Sequence, residues 1–255
     1  MRYLRLLWAY IQRFLLQWMA GRGFVITLVA NQAIPPLIGL AVWTTALPDQ
    51  PQIGTYYVVL LVVQLLTVSY ENHTFAGRIY NGELSDDLLR PHPVVLAPLG
   101  ENVALRIWHL IIGLPLIIGA SLFAPVHLAA ANVASAIPAL VLAALLRFLF
   151  TYILALSAFW TQQAHGVTGF GDTLIFLLGG TAAPIALLPG GLRIAGEALP
   201  FRAMLSFPVE VAVGSLSQSD VIAGYSLQVG WIVVFALIAA LLWRRGIRRY
   251  TAVGG

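Results

Sequence analysis

Apolar residues fill six long windows of the chain, at about 24–46, 54–75, 104–124, 130–155, 168–188 and 220–243, with short polar pieces between them. A helix rises about 1.5 Å per residue, so some 20 mostly apolar residues cross the hydrocarbon core of a bilayer, and each window reaches that length. Runs such as Tyr56 to Val68 are apolar on every face instead of alternating, which excludes the strands of a membrane barrel. The pattern predicts an all-α membrane protein with six transmembrane helices. The polar joins are too short to be domains, so residues 1–255 form a single transmembrane domain, and no internal repeat is visible.

The first 22 residues follow a different rule. At 100° per residue, Leu4, Leu7, Trp8, Ile11, Phe14, Leu15 and Trp18 share one face, while Arg2, Arg5, Gln12, Arg13 and Gln17 share the other. This is the pattern of an amphipathic helix lying in the membrane interface. Gln12, Arg13 and Gln17 interrupt any apolar core, so it does not read as a removable signal. It serves either as a simple anchor or as a lever beside the bundle.

Composition agrees with immersion in lipid: 60% of residues are hydrophobic and 9% charged, against about 25% charged in soluble domains. All 14 basic residues are arginine, and cysteine is absent, which excludes disulfides, thiol catalysis and thiolate metal sites. The arginines lie between and beside the windows, not on a soluble face, so the net charge of +4 does not indicate nucleic acid. Positive charge is retained on the cytoplasmic side in short loops. Placing both termini there puts Arg2, Arg5, Arg13, Arg22, Arg78, Arg90, Arg106, Arg244, Arg245, Arg248 and Arg249 inside and only Arg193 and Arg202 outside, with Arg147 within a span.

Groups able to react are scarce. The histidines at 73, 92, 109, 127 and 165 show neither H-E-x-x-H spacing nor a carboxylate-rich partner segment, so no metal site and no catalytic residue is expected. Without lysine the phosphate-gripping residue of a P-loop cannot exist, so the chain is not expected to hydrolyse ATP by itself. Glu71 and Arg147 are the charges placed deepest by residue counting, where an unpaired ion costs at least about 2.5 kcal/mol. They are expected either to pair and hold the second and fourth spans or to form a site for a charged substrate. In the fifth window Gly169, Gly171, Gly179 and Gly180 permit close helix contact, and Pro184 removes a backbone bond. Gly179, Gly180 and Pro184 mark either a bend in a moving helix or simple close packing.

The densest polar stretch, 77–93, joins the second and third windows. Asn81 or Ser85 can cap a short helix, acids suit its N-terminus, and Pro91 with Pro93 stops it after Arg90. Leu84, Leu88 and Leu89 would then form an apolar ridge flanked by Glu83, Asp86, Asp87 and Arg90. The stretch is either a solvated turn or a surface made for a protein partner.

The pattern I-x-x-G-E-L-x-x-x-L-L-R-P from Ile79 to Pro91 resembles the first cytoplasmic loop of ABC-2-type transporter permeases, in particular the branch of viologen-exporter-like or uncharacterised ABC exporter permeases. Ala183-Pro184 through Pro189-Gly190, Leu199-Pro200-Phe201, Phe207-Pro208-Val209-Glu210 and the basic tail from Arg244 to Tyr250, closing at Gly254-Gly255, fit the same branch in order. The resemblance implies a permease subunit of an ATP-driven exporter in a bacterial inner membrane. It implies no cofactor on this chain, ATP and Mg being supplied through separate ABC ATPase subunits, and a pathway formed with a second permease copy or a related chain. It makes 77–93 a coupling helix, with Glu83, Leu84, Asp86, Asp87, Leu88 and Arg90 as contacts to the ATPase, and 189–218 an external re-entrant hairpin before the last helix. The rival classes are a membrane-embedded lipid-modifying enzyme, which requires Glu71, His73, Asp172 and Arg147 to converge, and a non-transporting scaffold or sensor.

Because native cysteine is absent, the orientation is open to labelling with an impermeant maleimide. Single cysteines at Gln50 or Gly191 should react in intact cells and one at Ser85 only after lysis; labelling of position 85 from outside overturns the orientation. The purified protein should begin at Met1 or Arg2 by mass spectrometry, and a start near Gly23 contradicts the interfacial helix.

Overall fold

The computed structural model describes residues 2–161 and 164–250; Gly254-Gly255 of the tail motif and the His165 side chain lie outside the described residues. Among the described residues the regular structure is entirely helical. The interfacial pattern at the start becomes α1 (Arg2–Ala20), followed by α2 (Arg22–Ala46), α3 (Gln52–Thr67), α4 (Glu71–Tyr80), α5 (Leu84–Leu88), α6 (Leu96–Phe123) and α7 (Ala130–Leu156). The remainder is α8 (Ala164–Leu178), α9 (Gly190–Ala198), α10 (Pro200–Met204), α11 (Ser206–Val213) and α12 (Gln218–Gly246).

Five segments are long and apolar enough to cross a membrane: α2, α3 with α4 as one interrupted rod, α6, α7 and α12. The fifth expected window, 168–188, is instead filled by α8 and an irregular continuation with a single 3-10 turn at Ile185–Leu187. Its apolar part, Thr168–Leu178, is a short helix. Even the full 15 residues of α8 rise only about 22 Å, below the ~30 Å of a hydrocarbon core.

The rod of α3 and α4 is the centre of the bundle: its apolar window is 89% buried, against 17% for α12. Leu60, Leu61 and Leu65 are fully enclosed by α2, α6, α7 and α11. By contrast Ile38, Ile118, Val141, Val233 and Leu237 are exposed at the periphery, an apolar surface suited to lipid or to another membrane chain and not to water. Small residues set the approach of the inner helices. Gly39 meets the face of the Tyr57 ring, and Gly224 receives Phe207, each so close that a methyl group would overlap the ring.

α1 lies against α6, with Tyr10, Ile11 and Phe14 buried and Gly100 beneath Tyr10. Trp108 adds an indole hydrogen bond to the Leu15 carbonyl at 3.2 Å. Only part of the expected apolar face is used in this way: Leu4 and Trp8 remain exposed, as an interfacial helix requires.

α10 and α11 turn back into the bundle and pack on α7, α3 and α12. Met204, Leu205 and Phe207 are buried there, and Gln228 of α12 donates to the carbonyls of Ala203 (2.9 Å) and Ala139 (3.0 Å). Arg202 donates to Glu210 at 2.5 and 3.1 Å, locking the two short helices together. Gly214 ends α11 at φ +75°, a left-handed position that a side chain would strain.

Gly39→Ala should lower the stability of the detergent-solubilised protein by ~1–3 kcal/mol through overlap with Tyr57, measured by thermal unfolding. Gly119→Ala, with open space around it, should stay within about 0.5 kcal/mol.

Candidate functional site

Val68 is extended (φ −50°, ψ 145°), so helical pairing stops at Thr67 and resumes at Glu71, within the most buried rod of the protein. The interruption releases carbonyls at the end of α3 and N–H groups at the start of α4, which lipid cannot satisfy. Arg106 of α6 donates Nε to the Val68 carbonyl at 3.0 Å and Nη2 to Ser69 Oγ at 3.1 Å and the Ala144 carbonyl at 2.8 Å. Arg147 of α7 donates Nη1 to Thr67 Oγ1 at 3.0 Å and to the Gln64 carbonyl at 3.4 Å. Two guanidiniums thus occupy the negative end of α3, and Glu71 stands in the first turn of α4, the positive end, so each charge faces the helix dipole that favours it.

Glu71 and Arg147 do not form the expected ion pair. The Glu71 carboxylate accepts from Asn102 Nδ2 and from Thr151 Oγ1, both at 2.6 Å. The ion pairs among the described residues are Arg78–Asp87, Arg90–Asp87, Arg193–Glu197 and Arg202–Glu210. The physical reason is that nearer groups satisfy each charge first: Asn102 and Thr151 donate to Glu71, while the Thr67 hydroxyl and the Gln64 carbonyl at the end of α3 take Arg147. Of the four residues required by a lipid-modifying enzyme, His73, Asp172 and Arg147 line one cavity of about 490 Å³, while Glu71 is absent from its wall. Among the described residues no group of three histidines or carboxylates could hold a metal ion. His109 is a satisfied core histidine, bonded to the Leu105 carbonyl at 2.8 Å and the Tyr70 hydroxyl at 3.2 Å.

The loop 77–93 folds as the expected short helix, α5. The expected six contacts divide in two. Leu84 is fully buried, and Asp87 is 1% exposed, bonded to Arg78 of α4 and within 3.5 Å of Arg90. These two hold the loop from inside. Glu83, Asp86, Leu88 and Arg90 are exposed, together with Leu89 at 85%, and form the outer face of α5. The loop 77–93 is braced from three sides. Tyr10 of α1 accepts from Arg90 Nη1 at 3.1 Å and meets His92 Nε2 at 3.1 Å. Ser85 lies 3.3 Å from the Tyr250 hydroxyl, and Tyr80 donates to the Thr161 carbonyl at 2.7 Å. The bond to Tyr10, with Asp87 and Asp86 nearby, raises the Arg90 pKa further.

The expected helix bend is a helix end. Gly179 follows the last residue of α8, and Gly180 adopts φ +90°, closed against Tyr56 and Ser206. The Tyr56 hydroxyl donates to the Gly180 carbonyl at 3.1 Å and the Trp43 indole to that of Ala182 at 2.9 Å, so the non-helical stretch before Pro184 is satisfied by α3 and α2.

Arg106, Asn102 and Tyr10 escaped the sequence reading. Asn102 was hidden because α6 begins at Leu96, well before the apolar window at 104, and Arg106, inside that window, was read only as one of the cytoplasmic arginines; the polar spacing Glu101-Asn102-Arg106 was the available signal. Tyr10 carries no sequence signal for its link to residues some 80 positions away.

A family model described as ABC-2 family transporter protein matches residues 43–254, most of the chain. No curated protein and no solved structure matches.

Asp87→Asn should destabilise the protein by ~1.5–3 kcal/mol, since it leaves Arg78 without its charged partner. Asp86→Asn, at an exposed position, should change stability by less than about 0.5 kcal/mol. Denaturant unfolding in detergent separates the two.

Proposed function

The chain belongs to the ABC-2 transporter family, and on that premise we propose that it is the membrane-spanning permease subunit of an ATP-driven exporter. The family match carries the reading; the exposed, braced face of α5 supports it. Separate ATPase subunits dock on Glu83, Asp86, Leu88, Leu89 and Arg90, while Leu84 and Asp87 transmit the contact inward to α4. A helix held by hydrogen bonds to α1 and to the segment after α12 moves as part of the bundle and not as a loose loop.

The substrate route forms between two copies, or between this chain and a related one, in a bacterial inner membrane with both termini in the cytoplasm. α8, with the returning α9 to α11, makes the sixth crossing in two pieces: a helix entering from the basic end, and a re-entrant hairpin entering from the external side over 189–218. The Arg202–Glu210 pair and the Gln228 hydrogen bonds support a hairpin that holds its shape within the bundle.

Asp86→Arg combined with Leu89→Asp reverses the chemistry of the outer face without touching a buried group. The variant should express and melt as the parent does, yet lose at least about tenfold in ATPase copurification and in stimulation of ATP hydrolysis, the scale of one or two lost interface anchors. Retained ATPase binding in a normally folded variant removes α5 as the docking helix.

A further inference from the structure

The cavity of about 490 Å³ lies between α2, the α3–α4 break and α8. Its polar wall contains Arg147, Gln64, Asn72 and Thr181, each at most 7% exposed. All four keep a buried polar atom with no hydrogen-bond partner among the described residues: Arg147 Nε, Gln64 Oε1, Asn72 Oδ1 and Thr181 Oγ1. An unmet buried group costs about 1–3 kcal/mol, and here four collect on one wall. Arg147 also has no carboxylate within 4.0 Å: its hydrogen bonds go to neutral oxygens, and the Asp172 and Glu71 carboxylates act on it only from farther away.

The rest of the wall has another character. Trp18 at the end of α1, Phe24 at the start of α2 and Phe176 of α8 bring aromatic surface to the cavity, the last two exposed on the outside of the bundle. Trp18 and Phe24 sit at the end where α1 is placed as an interfacial helix, and Phe176 lies near the far end of α8. His73 and Asp172, both exposed, line the cavity too and mark its more open side.

We infer that this cavity binds an amphiphile by its acidic group, a phosphate or carboxylate held by Arg147 with Gln64, Asn72 and Thr181, its apolar tail leaving past Trp18 and Phe24. A guanidinium matches such an oxyanion in charge and in donor geometry. The inference does not depend on ATP coupling. It assigns a ligand chemistry to a wall that the broken helix alone leaves partly unmatched.

The lack of native cysteine gives a direct probe. Thr181→Cys in a neutral maltoside detergent should be alkylated by N-ethylmaleimide, read by mass spectrometry; a thiol that never reacts shows the cavity closed to solutes and overturns the inference. Dodecyl phosphate should slow the alkylation about tenfold, the worth of one charge-assisted hydrogen bond. Dodecyltrimethylammonium and inorganic phosphate should change it less than about twofold, within nonspecific effects. Equal protection by the cationic amphiphile, or by inorganic phosphate, overturns the inference. Added Arg147→Gln should abolish protection and Arg147→Lys keep part of it, whereas Asp172→Asn should leave it intact. Protection that persists in a folded Arg147→Gln protein overturns the assignment. If that variant does not fold, the comparison of the two amphiphiles at unchanged Arg147 decides alone. Nanodiscs of phosphatidylcholine with and without phosphatidate then identify the source. Slow alkylation with phosphatidate alone shows a lipid headgroup, and slow alkylation only on adding dodecyl phosphate shows a free amphiphile; both support the site.

Discussion

Three residues, Val68 to Tyr70, interrupt the most buried helix of the protein, and nothing in a hydrocarbon core can satisfy the backbone groups they release. The surrounding helices are arranged to meet that demand. α6 supplies Arg106 and Asn102, and α7 supplies Arg147 and Thr151, all directed at one short stretch. The cost of burying ions is offset because each sits at the helix end of opposite sign, and because hydrogen bonds to backbone and hydroxyl groups replace lost water. Breaking the central rod and burying its charges are therefore one structural event: the helix ends need the ions, and the ions need the helix ends.

The segments with simple physics were legible in the sequence. A run of some 20 apolar residues has few fates, so the first four spans and the last appear close to where composition places them, and the interfacial helix follows from its 100° spacing. The short helix between Glu83 and the two prolines was readable as well, because capping and termination are local. What failed were statements needing a third dimension. Residue counting put Glu71 and Arg147 at similar depth but could not reveal that Asn102, Thr151 and Thr67 lie nearer to them. Hydropathy over 168–188 averaged a helix and a turn into one span, since two glycines barely change the mean of an apolar window, while Gly179 and Gly180 follow the end of α8 and Gly180 takes a positive φ. Asp87 looked like its neighbour Asp86 in sequence, yet helical spacing turns one towards Arg78 and the other towards water.

Membership of the ABC-2 transporter family gives these features a common context. A transporter subunit needs a rigid link from its partner-facing surface to its centre. If α5 is that surface, as proposed, the link is traceable: α5 is tied to α4 through Asp87 and Arg78, and α4 begins at Glu71, inside the polar core. The same rod therefore carries both the surface that faces outward at the basic end and the break around which the buried charges gather.

Tyr10 accepts from Arg90 and contacts His92 while the rest of α1 lies along α6, leaving Leu4 and Trp8 unburied by protein. In the proposed placement of α1 in the headgroup layer, the helix cannot shift without displacing lipid, and through Tyr10 it is fastened to the loop after α5. Under the proposed coupling role of α5, a stroke delivered there would be resisted by the lateral pressure of one leaflet, so bilayer composition and curvature would enter the mechanical load of the subunit.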